Sequence, residues 1–138
     1  MVILGIDPGY AIVGWGVLEY KANKFRVIDY GAVTTEAKTP FPLRLCDIYN
    51  GLCDIIKKYQ PEVLSMEKLF YNNNAKTVID VAQARGVISL AAQQNGLKIA
   101  EYTPLQVKQS VTGYGRAVKK QVQEMTKTML HLKAIPKP

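Results

Sequence analysis

The first nine residues constrain the fold more than any other stretch of the chain. Residues 1–6 form an apolar run interrupted only by Gly5, which is typical of a central strand buried on both faces. Asp7 ends the run, and Pro8-Gly9 turns the chain immediately after it. A carboxylate at the tip of a central strand is costly to desolvate, so we expect a cation or hydrogen-bond donors to meet Asp7. The candidate site is therefore built around Asp7.

The length of 138 residues predicts a single domain, residues 1–138, long enough to bury a core. No apolar run approaches the roughly 18 residues that a membrane span needs. The first residues lack the basic leader of a signal peptide and reach Asp7 at once. These features predict a cytoplasmic protein that does not contact a membrane.

The formal net charge of +7 is concentrated at one end of the chain. Residues 1–103 hold 11 basic and 10 acidic side chains, whereas residues 104–138 hold seven basic side chains and only Glu124 as an acid. A nearly neutral body with a basic end favours a polyanion as partner. The alternative is a solvated, lysine-rich helix.

Two cysteines, Cys46 and Cys53, lie in a predicted helix with their Cα atoms about 10 Å apart, too far for a disulfide. We expect buried thiols in a reducing compartment. The single histidine, His131, has no cysteine or histidine at metal-ligand spacing, which argues against a zinc site.

The order of the predicted elements indicates an α/β protein. Strands at Ala11–Tyr20 and Phe25–Thr34, joined by a polar turn at Lys21–Lys24, continue the first strand as an antiparallel meander. A helix then follows Pro40 and Pro42 and ends before Pro61. Its predicted apolar face consists of Leu45, Tyr49, Leu52, Ile56 and Tyr59.

The rest of the chain alternates strands and helices. A short strand at Glu62–Glu67 ends, like the first strand, in a carboxylate. A loop over residues 68–74 and a helix over residues 75–95 precede a fifth strand at Leu97–Tyr102. The pattern then predicts a helix from Thr103, a break at Gly113-Tyr114-Gly115 and a basic helix over residues 117–132.

This order matches the ribonuclease-H-like layout, a mixed five-stranded sheet flanked by helices. In that layout the first and fourth strands are neighbours, so we expect Asp7 and Glu67 to lie side by side. Two adjacent carboxylates repel each other unless cations lie between them, and Mg²⁺ suits such a site. The spacing alone leaves two alternatives, namely Asp7 as a turn residue and Glu67 as a salt-bridge partner at a strand end.

Six short segments stand in order along the chain: Gly5-Ile6-Asp7-Pro8-Gly9, Ser65-Met66-Glu67-Lys68-Leu69-Phe70, Gln83-Ala84-Arg85-Gly86, Gln106-Val107-Lys108-Gln109, Gly113-Tyr114-Gly115 and Lys119-Lys120-Gln121-Val122. Taken together and in this order, they resemble the RuvC family of crossover (Holliday) junction endodeoxyribonucleases. The resemblance extends from one end of the chain to the other. It implies a structure-selective nuclease that resolves four-way DNA junctions by paired symmetric nicks in recombination and repair.

The resemblance also implies roles for individual residues. Asp7 and Glu67 match catalytic carboxylates that hold two Mg²⁺ ions, with Mn²⁺ as an alternative. Phe70 matches an aromatic residue inserted at the exchange point of the junction, and Lys108 and Lys119 match lysines that hold phosphates. The remaining candidate DNA contacts are Tyr71, Arg116 and Lys120.

The family implies a homodimer, with one protomer for each nick, and a possible partnership with a branch-migration complex. Arg85 is expected to serve either packing or the dimer contact. For Phe70 and Tyr71 the alternative is packing onto the body of the protein, and for Lys120 it is solvation.

One feature of the resemblance is missing from the chain. The family carries a second acidic pair at the start of a last helix, which by alignment should begin directly after Pro138. We therefore expect a truncated form that binds branched DNA and cleaves it poorly or not at all.

Two other classes of protein stand as alternatives. The first is a branched-DNA-binding module without catalysis, which would bind junctions in saturating Mg²⁺ and leave them intact. The second is half of an actin-like ATPase or sugar kinase, suggested by the first strand alone, but 138 residues leave no room for the second lobe.

Overall fold

The computed structural model describes residues 1–68 and 75–103, which form a mixed five-stranded sheet with two helices. The strands follow the order β3-β2-β1-β4-β5, with β1–β2 and β2–β3 antiparallel and β1–β4 and β4–β5 parallel. The elements are β1 (Val2–Asp7), β2 (Ile12–Lys21), β3 (Lys24–Thr34), α1 (Phe41–Tyr59), β4 (Val63–Glu67), α2 (Ala75–Gln94) and β5 (Lys98–Tyr102). This is the predicted α/β fold. The observed ends of the elements lie within two residues of the predicted ones. The start of α1 is the exception, because the sequence predicted no exact residue for it.

The predicted turn at Lys21–Lys24 is a two-residue hairpin between paired Lys21 and Lys24. Its central residues, Ala22 and Asn23, have φ of 53° and 61°. Two consecutive positive φ values match the right-handed twist of the flanking strands, which is why this geometry closes tight hairpins. Further along, the β2–β3 register shifts between Val17 and Leu18.

Strand β1 lies at the centre of the sheet, but the expectation that both its faces are buried is only half right. Leu4 and Ile6 are buried in the core cluster, whereas Ile3 and Gly5 on the other face are half-buried. The reason is that α1 and α2 both pack on the Leu4 face. Within residues 1–68 and 75–103, no helix packs on the opposite face.

Helix α1 begins after Pro40, whose backbone conformation is extended, and ends at Gln60 in the left-handed region. Leu52 and Ile56 of its predicted apolar face are buried, and the face's other three members are half-buried. The buried side also contains Arg44, Ile48 and Ile55, which the prediction did not include. The helix therefore packs through a broader face than the predicted stripe.

The thiol prediction is partly wrong. Cys46 and Cys53 are both free, as expected, but Cys46 is exposed and Cys53 is half-buried. Residue 46 lies on the solvent side of α1, because the buried positions 44, 48, 52 and 55 follow the opposite side.

Helix α2 is tied to the sheet by an ion pair between Arg85 and Glu101 of β5. The Arg85 side chain is only 19% exposed, which agrees with the predicted packing role, and its predicted dimer contact stays a prediction. In the part of the chain that the structure describes, neither helix is long and apolar enough to cross a lipid bilayer.

Candidate active site

The site begins where two parallel strands end. Ile6 of β1 pairs with Met66 of β4, so Asp7 and Glu67 each directly follow the last pair between these two strands. Neighbouring strands lie about 4.8 Å apart, which makes the two carboxylate residues lateral neighbours. The structure therefore brings together the two acids that the sequence singled out.

Both side chains leave the sheet on the face that carries no described helix. Side chains alternate along a strand, so Asp7 projects away from the face of buried Leu4 and Ile6. Asp7 is exposed and Glu67 is half-buried. A hydrated cation or a DNA backbone can approach the pair from this side.

Small residues surround Asp7 on the same face. Its partner across β1–β2 is Gly14, where an added Cβ would lie 3.5 Å from the Asp7 Cβ. The adjoining row pairs Gly5 with Gly16 on one side and with Ser65 on the other. The surface beside the carboxylates is consequently flat and open.

Strand β5 adds Tyr102, which the sequence analysis did not place in the site. Tyr102 is the β5 partner of Glu67 and is 45% exposed. Its backbone carbonyl accepts a hydrogen bond of 2.7 Å from the Lys68 amide, which fixes the end of the strand. The available signal was its position as the last residue of the fifth strand, at the same edge as both acids.

The donor set suits a hard divalent cation only in part. No group of three metal-ligating side chains occurs within residues 1–68 and 75–103. Two carboxylates still fit Mg²⁺, which commonly takes one or two of them and completes its shell with water and substrate phosphate oxygens. A third carboxylate, imidazole or thiolate ligand would have to come from outside residues 1–68 and 75–103.

Two side chains with shifted pKa values, Asp29 of β3 and Tyr59 at the end of α1, lie outside this site. The Tyr59 hydroxyl donates a hydrogen bond to the Asp29 carboxylate, which also accepts one of 2.8 Å from the Tyr30 amide. These bonds lower the pKa of Asp29, and the bond to Asp29 raises the pKa of Tyr59. This pair fastens α1 to the sheet and is separate from Asp7 and Glu67.

The predicted DNA contacts lie outside the described residues. They are Phe70, Tyr71, Lys108, Arg116, Lys119 and Lys120. The structure therefore leaves their roles as predictions.

Comparison with known proteins decides the family. The family model described as crossover junction endodeoxyribonuclease RuvC matches residues 3–138. The chain belongs to the RuvC family. The RuvC proteins of Caldanaerobacter subterraneus and Ruminiclostridium cellulolyticum are 58% and 56% identical over all 138 residues, which cover 84% and 83% of those proteins.

A solved RuvC structure shows the same fold with DNA bound. Thermus thermophilus RuvC in complex with a Holliday junction substrate superposes with a TM-score of 0.93 at 32% identity, over all of this chain and 84% of the other. Membership of the RuvC family confirms the ribonuclease-H-like fold class and the crossover junction endodeoxyribonuclease identity that the sequence predicted, whereas the expected truncation and poor cleavage stay predictions. It also excludes the actin-like alternative.

Proposed function

We propose that this RuvC chain acts on four-way DNA junctions by symmetric nicking, with the carboxylates of Asp7 and Glu67 holding divalent metal at the scissile phosphate. The observation that supports this most is the parallel β1–β4 register, which sets the two acids side by side on the open face of the sheet. Carboxylates on adjacent strand ends repel each other, and a bound cation would relieve that repulsion. How far cleavage is weakened without the family's second acidic pair stays a prediction.

Each residue of this site has a separate task in the proposed reaction. Divalent ions such as Mg²⁺, when bound, activate water as the nucleophile and stabilise the leaving oxygen of a phosphodiester. Asp7 is exposed at the strand tip and would contact the metal from the β1 side. Glu67, half-buried on β4, would hold it from the other side.

The proposed substrate is a four-way DNA junction. The related Thermus thermophilus protein was solved with a Holliday junction, and the basic residues of this chain are concentrated in positions 104–138. Lys108 and Lys119 would neutralise backbone phosphates near the cut. Arg116 and Lys120 would add to the positive electrostatic potential that attracts the DNA. Phe70 and Tyr71 would stack on bases at the exchange point.

The active unit is proposed to be a homodimer assembled through the outer face of α2. Ile79 and Leu90 on this face are 64% and 50% exposed. Gly86 lies between them on the same side of the helix, and apart from its chain neighbours and the adjacent helix backbone no described atom comes within 4 Å of the position its Cβ would take. A mid-helix glycine is about 0.5–1 kcal/mol less favourable than alanine, and close approach of a second helix would explain it.

The proposal is tested by removing each charge while keeping its shape, with Asp7→Asn and Glu67→Gln. Nicking of a fixed four-way junction in Mg²⁺ is expected to fall about a hundredfold or more, since the metal supplies several kcal/mol of transition-state stabilisation. Mg²⁺ or Mn²⁺ affinity, measured by calorimetry, should also weaken. Junction affinity in EDTA should stay within about threefold of the unmodified chain.

Glu62→Gln is the matched control, because Glu62 is an exposed acid directly before β4, at the opposite end of the strand from Glu67. It should nick and bind as the unmodified chain does. Wild-type nicking by Asp7→Asn would contradict the proposed role of the carboxylates. Junction binding by the unmodified chain with no cuts in saturating Mg²⁺ would instead favour the non-catalytic binding module.

A further inference from the structure

The loop that follows Asp7, residues 8–11, is held in one conformation by Thr35, the residue directly after β3. The Thr35 hydroxyl donates a hydrogen bond of 2.6 Å to the Tyr10 carbonyl, and the Thr35 amide donates one of 2.9 Å to the Ala11 carbonyl. The loop is also folded tightly on itself. A Cβ at Gly9 would lie 2.3 Å from the Ile12 carbonyl oxygen, so the segment between Asp7 and β2 cannot take a side chain at position 9 without moving its backbone.

Arg44, in the first turn of α1, reaches this loop by two routes. Its Nε donates a hydrogen bond of 2.8 Å to the Thr35 hydroxyl, and an Nη donates one of 3.3 Å to the Thr35 carbonyl. Its guanidinium carbon also lies 5.1 Å from the centre of the Tyr10 ring, within cation–π range. Arg44 therefore contacts Tyr10 directly through the ring and indirectly through Thr35.

Arg44 is buried to a degree that is unusual for a charged side chain. The residue is 7% exposed, and in the described part of the chain it forms no ion pair with a carboxylate. A buried guanidinium without a counter-ion is unfavourable compared with an apolar side chain of similar size. What an arginine adds here is its planar fork of donors, which leucine, methionine and lysine lack.

We propose that Arg44 is a positioning residue for the nuclease site. Through Thr35 and Tyr10 it holds the loop after β1 in one geometry, and that loop begins at Asp7. The Asp7 carboxylate is thereby kept where it meets the metal. This inference rests on the proposed catalytic role of Asp7.

The test compares Arg44→Lys, Thr35→Val and Thr35→Ser. Arg44→Lys keeps the positive charge but loses the planar set of guanidinium donors, and Thr35→Val keeps the shape of threonine but loses its hydroxyl. Both variants should therefore lower the single-turnover nicking rate about tenfold. Both should also raise the Mg²⁺ concentration needed for half-maximal nicking. Thr35→Ser keeps the hydroxyl and should restore near wild-type values. Junction affinity in EDTA should remain within about threefold for all three variants.

Leu52→Ala is the control for lost packing, since Leu52 is fully buried in the same helix two turns beyond Arg44. It should lower Tm at least as much as Arg44→Lys while leaving the nicking rate unchanged at temperatures well below Tm. If Arg44→Lys does not fold, the contrast between Thr35→Val and Thr35→Ser decides the question by itself.

Three results would overturn the proposal in distinguishable ways. Wild-type nicking and Mg²⁺ dependence in Arg44→Lys and Thr35→Val, with lowered Tm, would assign Arg44 to packing alone. A loss of junction affinity in EDTA as large as the loss of nicking would make it part of the DNA surface. Full activity of Asp7→Asn would remove the catalytic role of Asp7 itself, whatever the Arg44 variants do.

Discussion

At the scale of single residues, the two aspartates at strand positions 7 and 29 have opposite surroundings. Asp29 accepts hydrogen bonds from the Tyr59 hydroxyl and the Tyr30 amide, and Lys58 lies nearby. Asp7 is exposed beside Gly14 at the tip of β1. The first arrangement stabilises a carboxylate within the fold, whereas the second leaves a carboxylate available to a ligand.

The Asp29–Tyr59 pair predicts a pH dependence of stability with a defined sign. The lowered pKa of Asp29 contributes stability above its ordinary pKa of 3.8, and that contribution is lost as the pH falls through the folded-state pKa. The raised pKa of Tyr59 contributes stability below pH 10.0, which is lost as the pH rises beyond it. Tyr59→Phe should therefore flatten the stability profile at both ends, as measured by urea unfolding from pH 2 to 5 and from pH 9 to 11.

Tyr30→Phe is the control for this prediction. Tyr30 is 64% exposed, and only its backbone amide bonds Asp29. Its profile should follow that of the unmodified chain at low pH. If the stability of Tyr59→Phe and of the unmodified chain fell identically between pH 5 and pH 2, the Tyr59 hydrogen bond would not be the cause of the lowered pKa of Asp29.

At the scale of elements, the β2–β3 hairpin combines extensive strand pairing with backbone strain in its turn. Ten paired positions hold the two strands together, but the turn places Ala22 at φ 53°. A side chain with Cβ is disfavoured in the left-handed region by about 1–2 kcal/mol, whereas asparagine at position 23 tolerates it well. The hairpin geometry is therefore imposed by strand pairing and opposed by the residue at position 22.

Replacing Ala22 with glycine should stabilise the protein by about 0.5–1 kcal/mol, since the relief of strain exceeds the added chain entropy. The free energy of unfolding in urea measures this gain. Lys21→Gly is the matched control, because Lys21 is paired within β2 with no need for a positive φ, and it should lower stability. Destabilisation by Ala22→Gly would contradict the assignment of strain to this position.

At the scale of the whole molecule, the two faces of the sheet have different surroundings. Helices α1 and α2 cover the face of Leu4 and Ile6, and the carboxylates lie on the other. The exposed side of α2 points away from the sheet. Pairing two protomers through that side would leave both carboxylate faces free for the arms of a symmetric junction.

The dimer prediction is that the chain sediments at twice its monomer mass of 15.4 kDa and that Leu90→Asp returns it to the monomer. A buried charge in an apolar helix contact has no partner and is strongly unfavourable. Analytical ultracentrifugation at micromolar concentration measures the mass. Leu43→Asp is the control, since Leu43 is 55% exposed on α1, away from the proposed contact, and should leave the dimer intact. A monomeric unmodified chain would refute the interface.

The sequence by itself determined the parts of the protein that depend on local pattern. The apolar run ending at Asp7, the prolines flanking α1 and the acid ending β4 predicted the elements and their order. The order of motifs predicted the RuvC family. These features are readable because strand ends, helix boundaries and turns are governed by neighbouring residues.

Only the tertiary structure decided which residues share a face or an edge. Tyr102 lies beside Glu67 through parallel pairing across 35 positions of sequence, and Arg44 is buried because Tyr10 and Thr35 meet it from two other segments. Cys46 is exposed because α1 turns that side to solvent. Such outcomes depend on strand register and helix rotation, which arise from the packing of distant segments and leave no local signal in the chain.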